Sequence, residues 1–505
     1  MNLLIVHTSH DGSITVIKDD KLVVHSQLER FNKVKSSPYP TISLIQKIKR
    51  MNIEFDNVIF TCLWNSNWYL WEELFRSFEI IKDRTTFEVL HSLDHHVFHM
   101  YCAKATTGDN EHFAIIDGGG DHKHWEGNDY YEQESLYKND HVVEKRLFTL
   151  ADVHPFTDNM NWKIKNHHGI GNVYESITNC LFPTARRPFI LTGKTMALST
   201  YGNFRPDYFS AIRKGYLENK FNQNLSAVKL TENRTDQFTQ DFLNTLQKFV
   251  EKEIGEFLPQ KNVTFTGGVA QNILLNTQMR KRKGFKVDPM CNDQGITLGV
   301  ANRYLKGDLK VDNIYLGFEP EYDMNIFKGR KVSDCTYDDV AKLAHTEPVG
   351  IFNGRSEQGQ RGLGGRSLVI NPLAEDAKEK INKIKKREWY RPFAPAVMEE
   401  YASDYFEIEG NSPHMLYVFK CKKDMPTIMS NDGMSRIQTV NKKQNKHFYN
   451  LLKAYKTKYD LPLLLNTSLN MSGLTLAEDL YDIKYMLDYG NLKYCYFPEI
   501  NKLVS

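Results

Sequence analysis

HFAIIDGGGDHKHW, residues 112–125, is the stretch whose reading decides the fold. Phe113 to Ile116 form a short apolar run of the length of a buried strand. The run stops at Asp117, and Gly118, Gly119 and Gly120 follow, so a carboxylate sits at a strand end beside backbone N–H groups open to phosphate oxygens. Two other turns have the same place after a strand. HTSHDGS, residues 7–13, offers His10, Asp11, Gly12 and Ser13, and TFTGGVAQN, residues 264–272, joins a strand to a helix through Gly267 and Gly268. Any one of these is an ordinary glycine turn. Three in equivalent positions point to an α/β protein with chemistry at its strand ends.

Outward from that stretch the pattern repeats. The first sixty residues read as strands LLIV, SITVI and KLVVHSQ, a helix TISLIQKIKRM and a strand NVIFTC. Residues 112–149 give a second β-rich set, with helices expected around 170–182 and 233–257. In the latter, Phe238, Phe242, Leu246, Val250 and Ile254 recur every four residues and mark one buried face. Two similar β-rich halves with closing helices suggest a duplicated α/β lobe. A polar stretch from about 305 to 346 interrupts the pattern, and beyond it VGIFN, MLYVF and LPLLL alternate with helices near 376–387, 443–458 and 477–488. Two domains are therefore expected, residues 1–325 and 326–505.

Composition agrees with two folded domains: 505 residues are too many for one ordinary core, and 41% hydrophobic with 25% charged residues excludes a disordered chain. A net charge of +3 excludes the bulk basicity of a nucleic-acid-coating protein. The seven cysteines are scattered and contain no CxxC, against both a disulfide framework and a thiolate zinc site. The opening MNLLIVHTSHDG has too short an apolar run for a signal peptide, and no later window reaches membrane length, so a cytoplasmic protein with no membrane partner is expected.

RSEQGQRGLGGRSLVINP, residues 355–372, sets Arg355, Arg361 and Arg366 among glycines directly before an apolar strand. Like charges repel and glycine disfavours regular structure, so this arrangement suggests an anion to be surrounded. In DHHVFH, His95 and His99 lie one helical turn apart and can face one ion. Asp293, between a strand and a helix in MCNDQGITLG, and Asp117 are candidate oxygen ligands, and imidazole with carboxylate suits iron, zinc or manganese.

The runs LERFNKVK, GKTMALSTYG, TGGVAQN, CNDQGITLGVA, GRSEQGQRGLGGRS, NKIKKREWYRPFAPAV and LPLLLNTSLN occur in one order along nearly the whole chain. In that order they resemble the O-carbamoyltransferases of the NodU/CmcH type. The resemblance implies an amino-terminal ASKHA (actin/hsp70-like) metal and nucleotide domain and a carboxy-terminal YrdC-like twisted-sheet domain. It also implies that the second domain makes carbamoyl-adenylate from carbamoyl phosphate and ATP, with magnesium accompanying the ATP, and that the first passes the carbamoyl group to a hydroxyl and frees AMP.

On that reading Arg355, Ser356, Arg361, Arg366, Lys385, Arg387, Arg391, Arg436, Asn466, Thr467 and Ser468 bind carbamoyl phosphate and ATP, because planar guanidinium groups hold phosphate oxygens bidentately. Arg361 and Lys385 stabilise the charge that develops as the adenylate forms. Asp11, Gly118, Gly119, Gly120, Lys194, Gly267, Gly268 and Asn272 serve the nucleotide, and His95, His99, Asp117 and Asp293 hold the metal, with iron the first choice. His10 is the candidate base for the acceptor hydroxyl.

Two departures from the family pattern stand out. DGGGDHKHW adds His122 and His124 as alternative ligands, and SGLTLAED lacks the glutamate that usually follows its glycine. The acceptor is expected to be a small molecule or sugar. DNA carrying a hydroxymethyl pyrimidine is the alternative, with the basic run MRKRKGFK (279–286) along its phosphates. A tRNA-modification protein or a non-catalytic nucleotide-binding regulator represents a different class, and a homodimer is compatible with all of these.

Overall fold

A computed structural model of the chain describes residues 1–62, 68–91, 94–125, 128–149, 162–165, 167, 169–182, 188–217 and 234–505. The chain is α/β with mixed sheets and divides into two compact units. One comprises residues 1–58, 67–87 and 312–505, the other residues 59–66 and 88–311. The compact units thus differ from a single cut near residue 325. The reason lies in the strand Lys21–Gln27 and the turn after it. His25 N–H donates to the Leu316 carbonyl at 2.9 Å, and the buried Arg30 guanidinium donates to the Glu357 carbonyl at 3.1 Å. Backbone groups far along the chain therefore satisfy the polar groups of the first hairpins.

The first unit contains an eight-stranded sheet in the order Val332–Asp334, Lys502–Val504, Tyr494–Phe497, Val349–Phe352, Arg366–Ile370, Leu463–Ser468, Ala394–Met398 and Gln438–Val440. Its central strands are apolar on both faces, as a sheet covered by helices requires. Leu368, Val369, Ile370, Leu463, Leu464 and Leu465 are all buried in one core. The expected helices appear as Ala377–Lys385, Lys446–Tyr459 and Leu480–Tyr489. MLYVF does not form the expected strand; only Phe419–Lys420 pairs, and Met415 takes φ +56°, which an extended run cannot accommodate.

In the second unit the strand order is Trp162–Lys165, His141–Phe148, Asn128–Lys138, His112–Ile116, Val263–Thr266 and Lys286–Val287, with His122–Trp125 pairing to Asn128–Lys138. His112–Ile116 and Val263–Thr266 run parallel, so the Asp117 and Gly267 turns leave the sheet at the same edge. The three-stranded antiparallel motif seen at His112–Ile116, Asn128–Lys138 and His141–Phe148 also occurs at Leu3–His7, Ser13–Lys18 and Lys21–Gln27. Duplication of the β-rich motif is thus present. Helix Gln237–Phe257, capped by Asp236, buries Phe242, Leu246, Val250 and Ile254, each contributing about 1.5–3 kcal/mol by leaving water.

Two helices bring the site together. Helix Ile296–Tyr304 lies along helix His95–Thr107 so closely that a Cβ on Gly299 would sit 1.9 Å from the Phe98 carbonyl oxygen. Asn302 Nδ2 donates to the Tyr101 carbonyl at 2.8 Å across the same contact. Gly299→Val is expected to force the helices apart, lowering the stability measured by urea unfolding by about 3 kcal/mol.

Candidate functional site

His95 and His99 occupy the first turns of helix His95–Thr107, both fully buried and both facing the sheet edge where Asp117 ends its strand. Asp293 reaches the same point from the turn before helix Ile296–Tyr304. One ligand atom from each of the four residues lies within 4.8 Å of all the others. His95 Nε2 and His99 Nε2 are 3.2 Å apart, Asp117 Oδ2 is 3.1 Å from His99 Nε2, and Asp293 Oδ1 is 3.4 and 3.3 Å from the two imidazoles. Tetrahedral coordination at ~2.1 Å spaces its ligands by roughly 3.4 Å, so these separations match the edges of a metal's coordination shell. Asp117 Oδ2 is buried with the two imidazoles, at 3.1 and 3.7 Å, as its polar neighbours and no well-aligned hydrogen bond among the described residues, which suits a ligand atom aimed at a cation.

Electrostatics agree with that reading. Burial opposes charge on both imidazoles, but Asp293 and Asp117 outweigh it, raising His95 well above and His99 above the usual imidazole value. For Asp117, burial and the neighbouring Asp293 charge are outweighed by the two histidines, which hold it below the usual carboxylate range. The glycines permit the close approach: Gly267, at φ +89°, would place a Cβ 2.3 Å from the Ile116 carbonyl oxygen, and one on Gly268 would lie 3.0 Å from Asp117 Oδ1.

A second layer of polar groups supports the helix. His96 Nδ1 and Ser135 Oγ are 2.8 Å apart, Ser135 Oγ donates to Glu132 Oε1 at 2.5 Å, and Lys145 Nζ meets the same oxygen at 2.9 Å. Gly120 is required here, since its Cβ would fall 2.7 Å from His96 Nε2. Asp121 Oδ1 accepts from the His95 backbone N–H at 3.4 Å, and burial, with the charge of Glu132, pushes its carboxyl up to about 7. None of His96, Asp121 or Glu132 was singled out from the sequence; the acidic residue after the glycines was the available signal.

In the first unit the arginine loop separates into two groups. Arg361, Arg387, Arg391 and Arg436 interact as like charges, and Arg387 and Arg391 also act on Lys385. Burial, reinforced by this mutual repulsion, pushes Lys385 and Arg436 well below and Arg387 below their usual values. Lys385 Nζ donates to the Ser468 carbonyl at 2.8 Å and to Asn470 Oδ1 at 2.5 Å, fixing the end of strand Leu463–Ser468. Arg387 Nη2 lies 3.5 Å from Thr467 Oγ1, and Asn466 Nδ2 donates to Gln438 Oε1 at 2.8 Å.

Arg355, Ser356 and Arg366, expected to bind the same anion, make separate contacts, while Arg366 Nε and Nη2 are buried with no hydrogen-bond partner among the described residues. Arg366 opens strand Arg366–Ile370 fully buried, stacks 3.6 Å over the Phe352 ring and donates to the Asn353, Gly354 and Gly365 carbonyls. Arg355 meets Glu319 Oε1 at 2.6 Å and the Val23 carbonyl at 2.8 Å, and Ser356 Oγ donates to Glu478 Oε2 at 2.9 Å. Glu357 accepts from the backbone N–H groups of Leu363, Gly365 and Arg366, so a buried carboxylate shapes the glycine turn. Neither Glu357 nor Glu478 was anticipated, although Glu478 lies in the stretch where the family's usual glutamate is missing.

Other candidates are also relocated. Asn272 caps helix Ile273–Met279 and pairs with Gln247 at 3.1 Å. Lys194 Nζ sits 5.4 Å from the Phe182 ring centroid. His10 is 44% exposed, 3.7 Å from Asp11 Oδ2, in the unit that carries the arginine loop, and Ser36 Oγ donates to Asp11 Oδ1. His122 and His124 do not enter the buried cluster; both pair with Asp129. In the basic run, Arg282 donates to the Gly255 and Leu258 carbonyls at 2.7 Å and Lys286 to the Thr107 carbonyl at 2.9 Å.

Two segments of the chain match two models of one family: residues 141–302, which include Asp293, the carbamoyltransferase N-terminus, and residues 340–500, which include the arginine loop, the carbamoyltransferase C-terminus. Together they span more than half of the chain. This chain belongs to the carbamoyltransferase family. The carbamoyltransferase is 26% identical to MJ1051 of Methanocaldococcus jannaschii over 92% of each chain. It is 32% identical to nodulation protein NolO of Bradyrhizobium diazoefficiens over 43% of this chain and 44% of that one. With nodulation protein U of Sinorhizobium fredii it shares 33% identity over 42% and 40%. Among solved structures, the activator of 2-hydroxyisocaproyl-CoA dehydratase from Clostridium difficile aligns over 61% of this chain and 96% of that one, with 11% identity and a TM-score of 0.35. No helix among the described residues is long and apolar enough to cross a membrane.

Two outcomes are expected. His99→Ala should reduce the transition-metal content of the purified carbamoyltransferase by one equivalent per chain, read by elemental analysis after gel filtration. Phosphate should raise the thermal midpoint, because an anion relieves the repulsion among the clustered cations. A cation depressed on folding destabilises the protein while protonated in the native state, and stability recovers as pH rises from its folded toward its unfolded value. The phosphate-induced gain should therefore be larger at pH 7 than at pH 10.

Proposed function

We propose that this carbamoyltransferase forms carbamoyl-adenylate from carbamoyl phosphate and ATP: water cleaves carbamoyl phosphate to carbamate and phosphate, the carbamate oxygen bonds to the α-phosphorus of ATP as pyrophosphate leaves, and the carbamoyl group then passes to an alcohol while AMP is freed. The observation that carries the reading is the group of mutually repelling cations, the buried Lys385 with the half-buried Arg361, Arg387, Arg436 and Arg391, the last also paired with Glu388, beside the polar strand end Asn466–Ser468. Such a cluster is costly until several negative charges enter it, and a triphosphate with carbamoyl phosphate supplies them. Arg361, Arg387, Arg391 and Arg436 bind phosphate oxygens in this proposal. Lys385 neutralises charge that grows in the transition state, while Arg355, Ser356 and Arg366 hold the loop that presents Arg361. This is the carboxy-terminal, YrdC-like half of the reaction.

In the ASKHA-like half, His95, His99, Asp117 and Asp293 would hold a divalent transition metal, iron before zinc or manganese, whose Lewis acidity polarises an oxygen of the adenylate when it is bound. The backbone N–H groups of Gly118 to Gly120 and of Gly267 and Gly268 orient the nucleotide phosphate. During transfer the acceptor oxygen bonds to the carbamoyl carbon, the bond from that carbon to the AMP oxygen breaks, and the hydroxyl proton is taken up by the departing AMP phosphate. A small-molecule or sugar alcohol is the preferred acceptor. Arg282 and Lys286 donate to carbonyl groups, which turns the heads of two side chains of the basic run back toward the protein.

Carbamoyl-phosphate-dependent exchange of labelled pyrophosphate into ATP tests the first half-reaction, and mass spectrometry of a panel of alcohols, including hydroxymethylated duplex DNA, tests the second. Arg361→Ala is expected to lower exchange by about 100-fold. His99→Ala should retain exchange and lose transfer. Loss of the same half-reaction in both variants would overturn the two-site reading, and absence of exchange in the unmodified protein would leave a nucleotide-binding regulator.

A further inference from the structure

The two histidines that the buried cluster leaves out form a group of their own. His122 and His124 are alternate residues of strand His122–Trp125, so their side chains leave the same face of the hairpin. On the paired strand, Asp129 lies directly opposite His124, and Tyr131 opposite His122. All four side chains therefore share one face. His122 Nε2 lies 2.7 Å and His124 Nδ1 2.9 Å from the same oxygen, Asp129 Oδ1. The His122 ring stacks on Tyr131 with centroids 5.0 Å apart and planes 28° apart, which holds one imidazole in a set orientation.

Two imidazoles at alternate strand positions with a carboxylate from the neighbouring strand make a three-point donor set that a short hairpin can present without help from the rest of the fold. The geometry points to a second, surface divalent-metal site of the zinc class, with His122, His124 and Asp129 as ligands and water completing the shell. Bonds of ~2.0–2.1 Å in a tetrahedral shell set ligand separations of roughly 3.3 Å, so the two Asp129 contacts must open by about 0.5 Å and the two imidazoles, which both converge on the carboxylate oxygen, must draw together around the ion. Exposure permits that adjustment: the His124 and Asp129 side chains are 64% and 50% accessible. Imidazole nitrogens favour zinc over hard cations that seek all-oxygen shells, so magnesium should not compete. Because the site is open, its metal should exchange faster than one held by the buried His95, His99, Asp117 and Asp293 group.

Zinc alone is the probe. The full-length protein and the His122→Asn/His124→Asn variant are equilibrated with zinc at several concentrations, and zinc retained per chain is measured against a chromogenic chelator. The unmodified protein is expected to hold one exchangeable equivalent more than the double variant, unaffected by excess magnesium. Asp129→Asn should weaken that equivalent by roughly tenfold. Equal zinc binding by the unmodified protein and the double variant would overturn the site, as would displacement of the extra equivalent by magnesium. Since these side chains lie on the surface, the variants should unfold at the same temperature as the parent, which separates lost ligation from lost structure.

Discussion

Lone pairs of two imidazoles and two carboxylates converge on one volume small enough that all four ligand atoms lie within 4.8 Å of one another. Groups of that kind do not gather unless the surrounding chain holds them. One side of the cluster is supplied by a helix, another by the turn that follows a strand, and the third by the turn that begins a second helix. The contact of Gly299 against Phe98 and that of Gly267 against Ile116 set the distances between these pieces. A side chain at either glycine would have to displace backbone, so close packing and the donor geometry are one constraint.

The other unit faces the opposite electrostatic problem. Its clustered cations repel one another, a cost that rises as the surroundings become less polar. The loop that brings them together is held by an opposing set of charges. Glu357 and Glu478 lie under the glycine turn, where Arg30 and Arg366 act on Glu478 and Glu357 receives three backbone N–H groups. A loop framed by its own carboxylates can present Arg361 without collapsing onto it.

Much of this was legible in the chain. Apolar runs ending in Asp117 and Gly267 marked strand ends, the four-residue spacing of Phe242, Leu246, Val250 and Ile254 marked a buried helix face, and the one-turn spacing of His95 and His99 marked a shared direction. All of these are local periodicities. Arg355 and Arg366 were not legible, because their separation from Arg361 says nothing about which way a glycine-rich turn folds back. Glu132 and Asp121 were hidden for a related reason: a buried carboxylate looks like any exposed one until its partners, here His96 and Lys145, are brought across a sheet.

By itself, the sequence determined the α/β class, the strand-end turns, the helical His95/His99 pair and the order of motifs that identifies a carbamoyltransferase, since each is written in neighbouring residues. Tertiary structure alone decided that the first 58 residues pack with the carboxy-terminal part, that Asp293 meets Asp117, and that His122 and His124 turn to Asp129 instead. The physical reason is that hydrogen bonds and metal-type donor sets are satisfied by proximity in space, and pairing between strands and helices distant in the chain creates that proximity.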